Sequence, residues 1–167
     1  MNLKDKIVEK KNLLLRIKNI YVLLFSLLIF GLDRISKIEI INNFSNRAYY
    51  INEYLNFDLV WNTGIGFGLF SYDTSLVYNL ISTLIILIVI SLLYIASTSK
   101  KIDKLIFSII AGGGLGNLYD RLFYKAVPDF IDLHYLNFHW FTFNIADIFI
   151  TLGILAFVVK DFFVKIK

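Results

Sequence analysis

The stretch from Thr74 to Ser99 contains no charged side chain over 26 consecutive residues. A helix needs about 20 apolar residues to cross the hydrocarbon core of a bilayer, so residues 74–96 are long enough to do so. The whole chain agrees, because 57% of its 167 residues are hydrophobic and only 18% are charged. A soluble domain of this size has too little interior to bury that much apolar surface. We therefore expect a chain that is solvated by lipid.

Three further apolar segments predict a mainly α membrane protein with four transmembrane helices. The predicted helices cover residues 19–41, 74–96, 105–122 and 143–163 of a single integral membrane domain, 1–167. The basic and then apolar start of the chain resembles a secretory signal peptide, but no small-residue cleavage site follows it. Charged residues follow instead, and we interpret this segment as an uncleaved first helix.

Residues 42–73 differ from the helices, since aromatic residues, Asn and Gly dominate them. Tyr49–Ile51 and Leu55–Trp61 have the aromatic and β-branched composition of strands. We predict a small β-cradle at the membrane surface, where Tyr and Trp are favoured. Three glycines at a spacing of two then interrupt any regular pattern: Gly64, Gly66 and Gly68. They lack a βαβ context and do not indicate nucleotide binding.

The basic residues are distributed unevenly along the chain. Of the 17 Lys and Arg residues, 12 lie in the N-terminal head, the 97–104 loop and the C-terminal tail. The positive-inside rule places these segments, and therefore both termini, in the cytoplasm. The β-cradle and an aromatic loop over 123–142 then lie on the outer side. The net charge of +4 reflects this orientation, and no nucleic-acid partner is expected. The lack of cysteine excludes disulfides, thiolate metal ligands and a cysteine nucleophile.

Polar side chains of three predicted helices converge at one depth near the outer membrane surface. Asp33 lies about 21 Å along the first helix at 1.5 Å per residue, the third helix ends in polar groups, and the fourth begins with them. Ionisable residues beside membrane helices indicate function. The converging groups are carboxylates, amides and one guanidinium: Asp33, Asn117, Asp120, Arg121, Asp129, Asn144 and Asp147.

Several kinds of catalytic site can be compared with this pattern. The chain has neither a GxSxG nucleophile elbow nor an HExxH zinc motif. His134 and His139, near Asp129 and Asp132, leave a metal site open as an alternative to two interfacial histidines. A transporter lined by the same carboxylates and a non-catalytic scaffold are further alternatives. A transporter requires a polar stripe through the full membrane depth, whereas the second helix is apolar throughout.

Carboxylates are the remaining catalytic candidates. Asp33 with Lys37, four residues apart, fits an ion pair, and so does Asp120 beside Arg121. Asp147 has no basic neighbour three or four residues away, and Asp129 lies in the predicted loop rather than on a helix. If both face one cleft of low dielectric, they share one proton, and that state suits peptide hydrolysis.

At these residues the chain resembles the lipoprotein signal peptidase (signal peptidase II) family over most of its length. The resemblance is carried by the segments 33-DRISK-37, 62-NTGIGFG-68, 112-GGGLGNLYDR-121, 127-VPDF-130 and 143-FNIAD-147. Arg34, Gly66 and Pro128 depart from the residues usual in the family, which are Gln, Ala and Val.

The resemblance implies an aspartic endopeptidase of the bacterial inner membrane that cleaves just before the lipidated cysteine of diacylglyceryl-modified prolipoproteins. It makes Asp129 and Asp147 the catalytic pair, with an active site near the outer face. The residues implied to bind substrate or support the site are Asp33, Lys37, Asn62, Gly64, Asn117, Asp120, Arg121 and Asn144. No metal and no cofactor are implied. We expect a monomer whose partners are the prolipoprotein and membrane lipid.

Overall fold

The computed structural model describes residues 3–44, 48–64, 75–136 and 138–165. Within these ranges the chain forms four helices and four strands. The helices are α1 (Leu3–Asn43), α2 (Ser75–Thr98), α3 (Lys101–Tyr124) and α4 (Ile145–Lys165). The strands are β1 (Tyr49–Asn52), β2 (Leu55–Asn62), β3 (Val127–Tyr135) and β4 (Phe138–Phe143).

The strands form one antiparallel sheet in the order β1-β2-β3-β4. β1 and β2 lie where the aromatic composition predicts strands, so that prediction is confirmed. The prediction of an irregular loop over 123–142 is wrong, because β3 and β4 occupy most of it. Pro128 and three polar residues hide the strand pattern of β3, but pairing with β2 supplies its hydrogen bonds.

Helix α3 is the centre of the helical layer, since it packs against α1, α2 and α4. Two glycines allow this close approach. A Cβ at Gly112 would meet the Ser26 carbonyl oxygen of α1 at 2.7 Å, and a Cβ at Gly113 would meet the Ala146 carbonyl oxygen of α4 at 2.7 Å. Small residues at such crossings let helix backbones come together.

The outer faces of the helices are apolar. On α2 and α4 the exposed side chains are mostly Leu, Ile, Val and Phe. Two stretches, Asn19–Asn43 and Tyr78–Thr98, are long and apolar enough to cross a membrane, with mean hydropathies of 1.5 and 2.6. The prediction of a mainly helical chain with a small sheet is therefore confirmed. The count of four spans stays a prediction, because among the described residues these two stretches alone are long and apolar enough.

Candidate active site

A buried ion-pair network joins α1 to α3. Lys37 is fully buried, and its Nζ donates to Asp33 Oδ2 at 2.8 Å, to Asp120 Oδ2 at 2.6 Å and to Asn117 Oδ1 at 3.0 Å. The predicted pair of Asp33 and Lys37 is therefore confirmed. One ammonium therefore contacts two buried carboxylates, so each charge in this group has an opposite charge beside it, as a low-dielectric environment requires.

The second predicted ion pair, Asp120 with Arg121, is wrong. Asp120 instead accepts from the Arg34 guanidinium of α1, which also lies 4.7 Å from the centroid of the Tyr119 ring. Consecutive residues on a helix point about 100° apart, so Asp120 faces α1 while Arg121 faces away from it. Arg34, one of the departures from the family pattern, thus adds a second cation to the network.

Asp33 also fixes where α4 begins. Its Oδ1 accepts from the Ala146 N–H at 2.9 Å, one of the first N–H groups of α4, which have no partner inside the helix. Gly116 of α3 makes room for this carboxylate, since a Cβ there would collide with it. One aspartate therefore holds α1, α3 and α4 in a fixed relation.

The start of α4 is capped by its own residues. Asn144 Oδ1 accepts from the Asp147 N–H at 3.1 Å, and Asp147 Oδ2 accepts from the Asn144 N–H at 3.1 Å. This reciprocal arrangement is a capping box, and residues of these types three apart can form it wherever a helix begins. The remaining oxygen of Asp147, Oδ1, accepts from Asn117 Nδ2 of α3 at 2.8 Å.

Asp129 lies on β3 and is 4% exposed. Its Oδ1 accepts from Asn144 Nδ2 at 2.6 Å, and its Oδ2 accepts from Asn62 Nδ2 of β2 at 2.9 Å. Asn144 therefore contacts both Asp129 and Asp147. Among the residues that the structure describes, neutral amides alone donate hydrogen bonds to these two carboxylates, in contrast to Asp33 and Asp120.

Burial and the nearby negative charge of Asp147 raise the pKa of Asp129 to about 6 from an ordinary value of 3.8. Burial is the larger cause, because a carboxylate loses hydration when it leaves water. The amides of Asn62 and Asn144 favour the ionised form and offset part of this effect. A carboxyl group with such a pKa can hold a proton in mildly acidic to neutral solution.

Arg121 of α3 binds the turn that follows β2. Its Nη1 donates to the Asn117 carbonyl at 3.1 Å and its Nη2 to the Gly64 carbonyl at 3.1 Å, while the Gly64 N–H donates to Asn62 Oδ1 at 2.9 Å. The turn after β2 is thereby tied to α3. The cation points toward the carboxylate pair without forming an ion pair with either member.

These residues surround a cleft of about 270 Å³. It is lined by the two carboxylates and by polar groups of β2, of α3, of α4 and of the residue before α4: Asn62, Asn117, Arg121, Asn144 and Thr151. An apolar groove of about 490 Å³ lies between α2, α3 and α4 and shares Asn117, Arg121 and Asp147 with the cleft. His134 and His139 do not line the cleft, so the structure gives no support to a metalloprotease site built on Asp129.

Comparison with protein families identifies the arrangement. Residues 25–163 match the model of a family described as signal peptidase (SPase) II. The chain belongs to the signal peptidase II family. Its membership confirms the family resemblance read from the sequence, including the peptidase class.

Relatives named lipoprotein signal peptidase support the family at substantial identity. The protein of Pelagibacter ubique is 45% identical over 157 residues, which cover 92% of this chain and 95% of the relative. The protein of Anaplasma marginale is 41% identical over 133 residues, covering 78% and 77%. A solved structure described as a bacterial membrane enzyme shares the fold, with a TM-score of 0.72 and 24% identity over 84% of this chain and 86% of that one.

Two further residues near the cleft lie outside the family motifs and were not predicted. Thr151 lines it and follows Asp147 by four residues, so helical spacing alone was sufficient to find it. The Tyr78 hydroxyl of α2 donates to the Arg121 carbonyl, a contact that no local pattern signals. Residues 65–68, the end of the second motif, include Gly66 and Gly68 and lie outside the described residues.

Proposed function

We propose that this chain is a membrane aspartic endopeptidase that removes the signal peptide from diacylglyceryl-modified prolipoproteins, cleaving just before the lipidated cysteine. Asp129 and Asp147 are the catalytic pair in this proposal. The observation that carries it is the pair itself: two carboxylates at one cleft, joined by Asn144, bound by neutral amides, with the pKa of Asp129 raised to about 6.

The two carboxylates have different environments, which suggests different roles. Asp129 is the more deeply buried and holds the shared proton, so it acts as the acid. Asp147 lies in the first turn of α4, where the partial positive charge of the helix N-terminus favours a carboxylate, so it acts as the base. Such a division of roles between neighbouring carboxyl groups follows from environment alone.

The reaction then proceeds by general acid–base catalysis. The Asp147 carboxylate takes a proton from a water molecule as the water oxygen attacks the scissile carbonyl carbon, and the Asp129 carboxylic acid donates its proton to the carbonyl oxygen. When the tetrahedral intermediate collapses, the C–N bond breaks, Asp147 gives the proton it took from water to the amine nitrogen, and a hydroxyl group of the intermediate returns a proton to Asp129. Neither step needs a metal or cofactor.

The other motif residues support the pair in this proposal. Asn62, Asn117 and Asn144 orient the carboxylates by hydrogen bonds, and Arg121 with Gly64 closes the cleft beside them. The buried ion-pair network orders the junction of α1, α3 and α4 and so holds the two carboxylates in position. Its members are Asp33, Lys37 and Asp120.

The apolar groove supports a lipid-modified precursor as the substrate. Its walls are Ile, Leu, Val and Phe side chains of α2, α3 and α4, and it opens into the polar cleft through Asn117, Arg121 and Asp147. An acyl chain or the apolar part of a signal peptide placed there would bring the adjacent peptide bond to the carboxylates. Each methylene of a lipid buried in an apolar environment contributes about 0.8 kcal/mol, which favours lipidated precursors.

We further propose a monomer in the bacterial inner membrane, crossed four times, with both termini in the cytoplasm and the cleft near the outer face. The contact of Lys160 on α4 with Asp103 on α3 supports this arrangement, because it places the end of α4 beside the start of α3. The polar cleft lies at the opposite ends of the same helices. The distribution of basic residues then orients the bundle.

The decisive experiment uses the purified protein in detergent or nanodiscs with a prolipoprotein precursor. One precursor carries the diacylglyceryl group on its lipobox cysteine and a matched precursor does not. Release of the signal peptide, followed on a gel and by mass spectrometry, is expected only or mainly from the lipidated form. Equal rates on both precursors would contradict lipid selection, and no cleavage of either would contradict the proposed activity.

A further inference from the structure

A second group of titratable side chains lies on the β3–β4 hairpin, away from the cleft. It consists of Asp132 and His134 of β3 and His139 of β4, whose metal-ligating atoms all lie within 4.8 Å of one another. His139 Nδ1 is 2.8 Å from Asp132 Oδ2 and 3.0 Å from Oδ1, and His134 Nδ1 is 3.7 Å from Oδ2. The two imidazole rings stack, with centroids 5.2 Å apart.

Strand geometry separates this group from the catalytic pair. Side chains alternate between the two faces of a strand, so Asp132 and His134 share one face of β3 while Asp129 points to the other. His134 and His139 are directly opposite each other in the register of β3 and β4. The cluster therefore joins the two strands of the hairpin from the side that does not face the cleft.

Two buried polar atoms beside Asp132 have no hydrogen-bond partner. His134 is 7% exposed, and its Nδ1 makes no hydrogen bond to any described residue. Asn56, the cross-strand partner of Asp132 on β2, has a buried Oδ1 that is likewise without a partner. Buried polar atoms are nearly always satisfied, so two unpartnered polar atoms next to a carboxylate point to a missing ligand.

We propose that Asp132, His134 and His139 bind a divalent transition-metal ion of the Zn²⁺ type. Two imidazoles and one carboxylate form a donor set that zinc accepts, with a fourth position left to water. Zinc–ligand bonds of about 2.0–2.1 Å require donor atoms roughly 3.3 Å apart, close to the spacing of these side chains. The fourth position lies on the open side, since the His139 side chain is 57% exposed.

Such an ion would stabilise the hairpin without taking part in hydrolysis. It links β3, which carries Asp129, to β4, which leads directly into Asn144 at the start of α4. A metal that binds the folded hairpin and not the unfolded chain raises the unfolding temperature by mass action. The site is thus a structural clamp on the hairpin that carries Asp129 and leads into α4.

The test is zinc binding by the full-length protein, purified with a histidine-free affinity tag and stripped with chelator. Because the chain has only two histidines, background binding is low. We expect one Zn²⁺ per chain by calorimetry and metal analysis, and a rise in the unfolding temperature on adding Zn²⁺. Co²⁺ should give the visible absorption of a low-symmetry site. His139→Ala should weaken binding at least about tenfold and abolish the thermal shift.

Asp58→Asn is the matched control, because Asp58 is an exposed carboxylate on β2 of the same sheet. It should bind Zn²⁺ as the unmodified chain does. His134→Ala should lose binding as His139→Ala does; if the buried position prevents folding, the exposed His139 decides the question. The proposal is overturned if the stripped protein takes up no Zn²⁺, or if His139→Ala binds it with unchanged affinity.

Discussion

Asn144 Nδ2 donates to Asp129 Oδ1 across 2.6 Å, and this bond joins the first residue before α4 to strand β3. Asn144 is fully buried, so little solvent competes for the contact. The same residue caps α4 through Asp147, which means that a single amide side chain sets the relation between a strand and a helix. The two proposed catalytic carboxylates are therefore placed by different elements and aligned by one residue.

The first prediction concerns those carboxylates. Asp129→Asn or Asp147→Asn should each remove nearly all turnover of a lipidated precursor, because Asn preserves the shape but can neither ionise nor accept the proton of water. The double variant should be little worse than either single one, since groups that act as a unit are not additive. Initial cleavage rates on a gel measure this, and binding of the precursor should survive in all three variants.

Asp58→Asn, at an exposed position of β2, is the matched control and should keep full activity. Strong chelator should also leave turnover in place, because the proposed mechanism uses no metal. Near-normal cleavage by either single variant at Asp129 or Asp147 would exclude the pair. Activity that disappears in chelator while the protein stays folded, and that returns with zinc, would instead support a metal-dependent peptidase.

The second prediction concerns pH. Since the pKa of Asp129 is raised to about 6, the pair loses its shared proton as the pH rises past that value. We expect kcat/KM to fall on the alkaline side with an apparent pKa near 6, and to fall again in acid when both carboxyls are protonated. A profile that is flat from pH 5 to about pH 8 would contradict the acid role of Asp129.

The same pKa shift predicts a stability effect with a definite sign. The folded protein binds the proton of Asp129 more tightly than the unfolded chain does, so the unfolding free energy should decrease as the pH rises from about 4 to above 6. The decrease is at most about 3 kcal/mol, from a shift of roughly two pKa units. The unfolding temperatures of the unmodified chain and of Asp129→Asn, measured across this range, should differ less at low pH than at high pH.

Local sequence patterns were sufficient to predict much of the fold. The uncharged run that begins at Thr74 predicts α2, and the aromatic composition predicts β1 and β2. Both signals are local, because each lies within one element. β3 and β4 were not predicted, because they depend on pairing with strands distant in sequence. Trp61 and Phe57 of β2 pair with Pro128 and Ile131 of β3. A strand interrupted by Pro and Asp becomes recognisable only beside its partner.

The contacts of the candidate site also divide into those within one element, which spacing predicts, and those between elements, which it does not. Asp33 with Lys37, and Asn144 with Asp147, lie within one helical turn, so their contacts follow from spacing. Arg34 with Asp120 spans 86 residues of sequence, and no spacing rule predicts which cation that aspartate selects. Motif resemblance predicts that these residues belong to one site, but their hydrogen bonds depend on how α1, α3 and β3 pack.

The third prediction tests the buried network. Lys37→Met should destabilise the protein by roughly 3–5 kcal/mol, because it leaves Asp33 and Asp120 buried with less compensating charge. Asp33→Asn should cost less, about 1–3 kcal/mol, since Lys37 keeps Asp120 and the Asn117 oxygen. Lys101→Met, at an exposed position of α3, is the control and should change stability by less than about 0.5 kcal/mol.

Thermal unfolding in detergent measures these differences, and cleavage assays on the same samples separate stability from turnover. Asp33→Asn should keep part of its activity, as expected of a supporting residue. If Lys37→Met were as stable as Lys101→Met, the network would be unnecessary for the fold.

The fourth prediction concerns topology. The chain has no cysteine, so single introduced cysteines report their location without background. Lys125→Cys, at the end of α3 near the cleft, should react with a membrane-impermeant maleimide on intact cells whose outer membrane is permeable. Ser99→Cys, between α2 and α3, should react only after the inner membrane is opened. Labelling of position 99 from outside would contradict the proposed four-span arrangement.

The last prediction compares two glycines. Gly116→Ala should destabilise the protein and reduce turnover, because its Cβ would displace the Asp33 carboxylate that binds Lys37 and the start of α4. Gly31→Ala is the control, since nothing lies within 4 Å of a Cβ there and Ala is favoured over Gly within a helix by about 0.5–1 kcal/mol. Unfolding temperature should therefore fall for Gly116→Ala and hold or rise for Gly31→Ala. Equal stability of the two variants would show that the close approach of α1 to α3 at Gly116 is not needed to hold Asp33 in place.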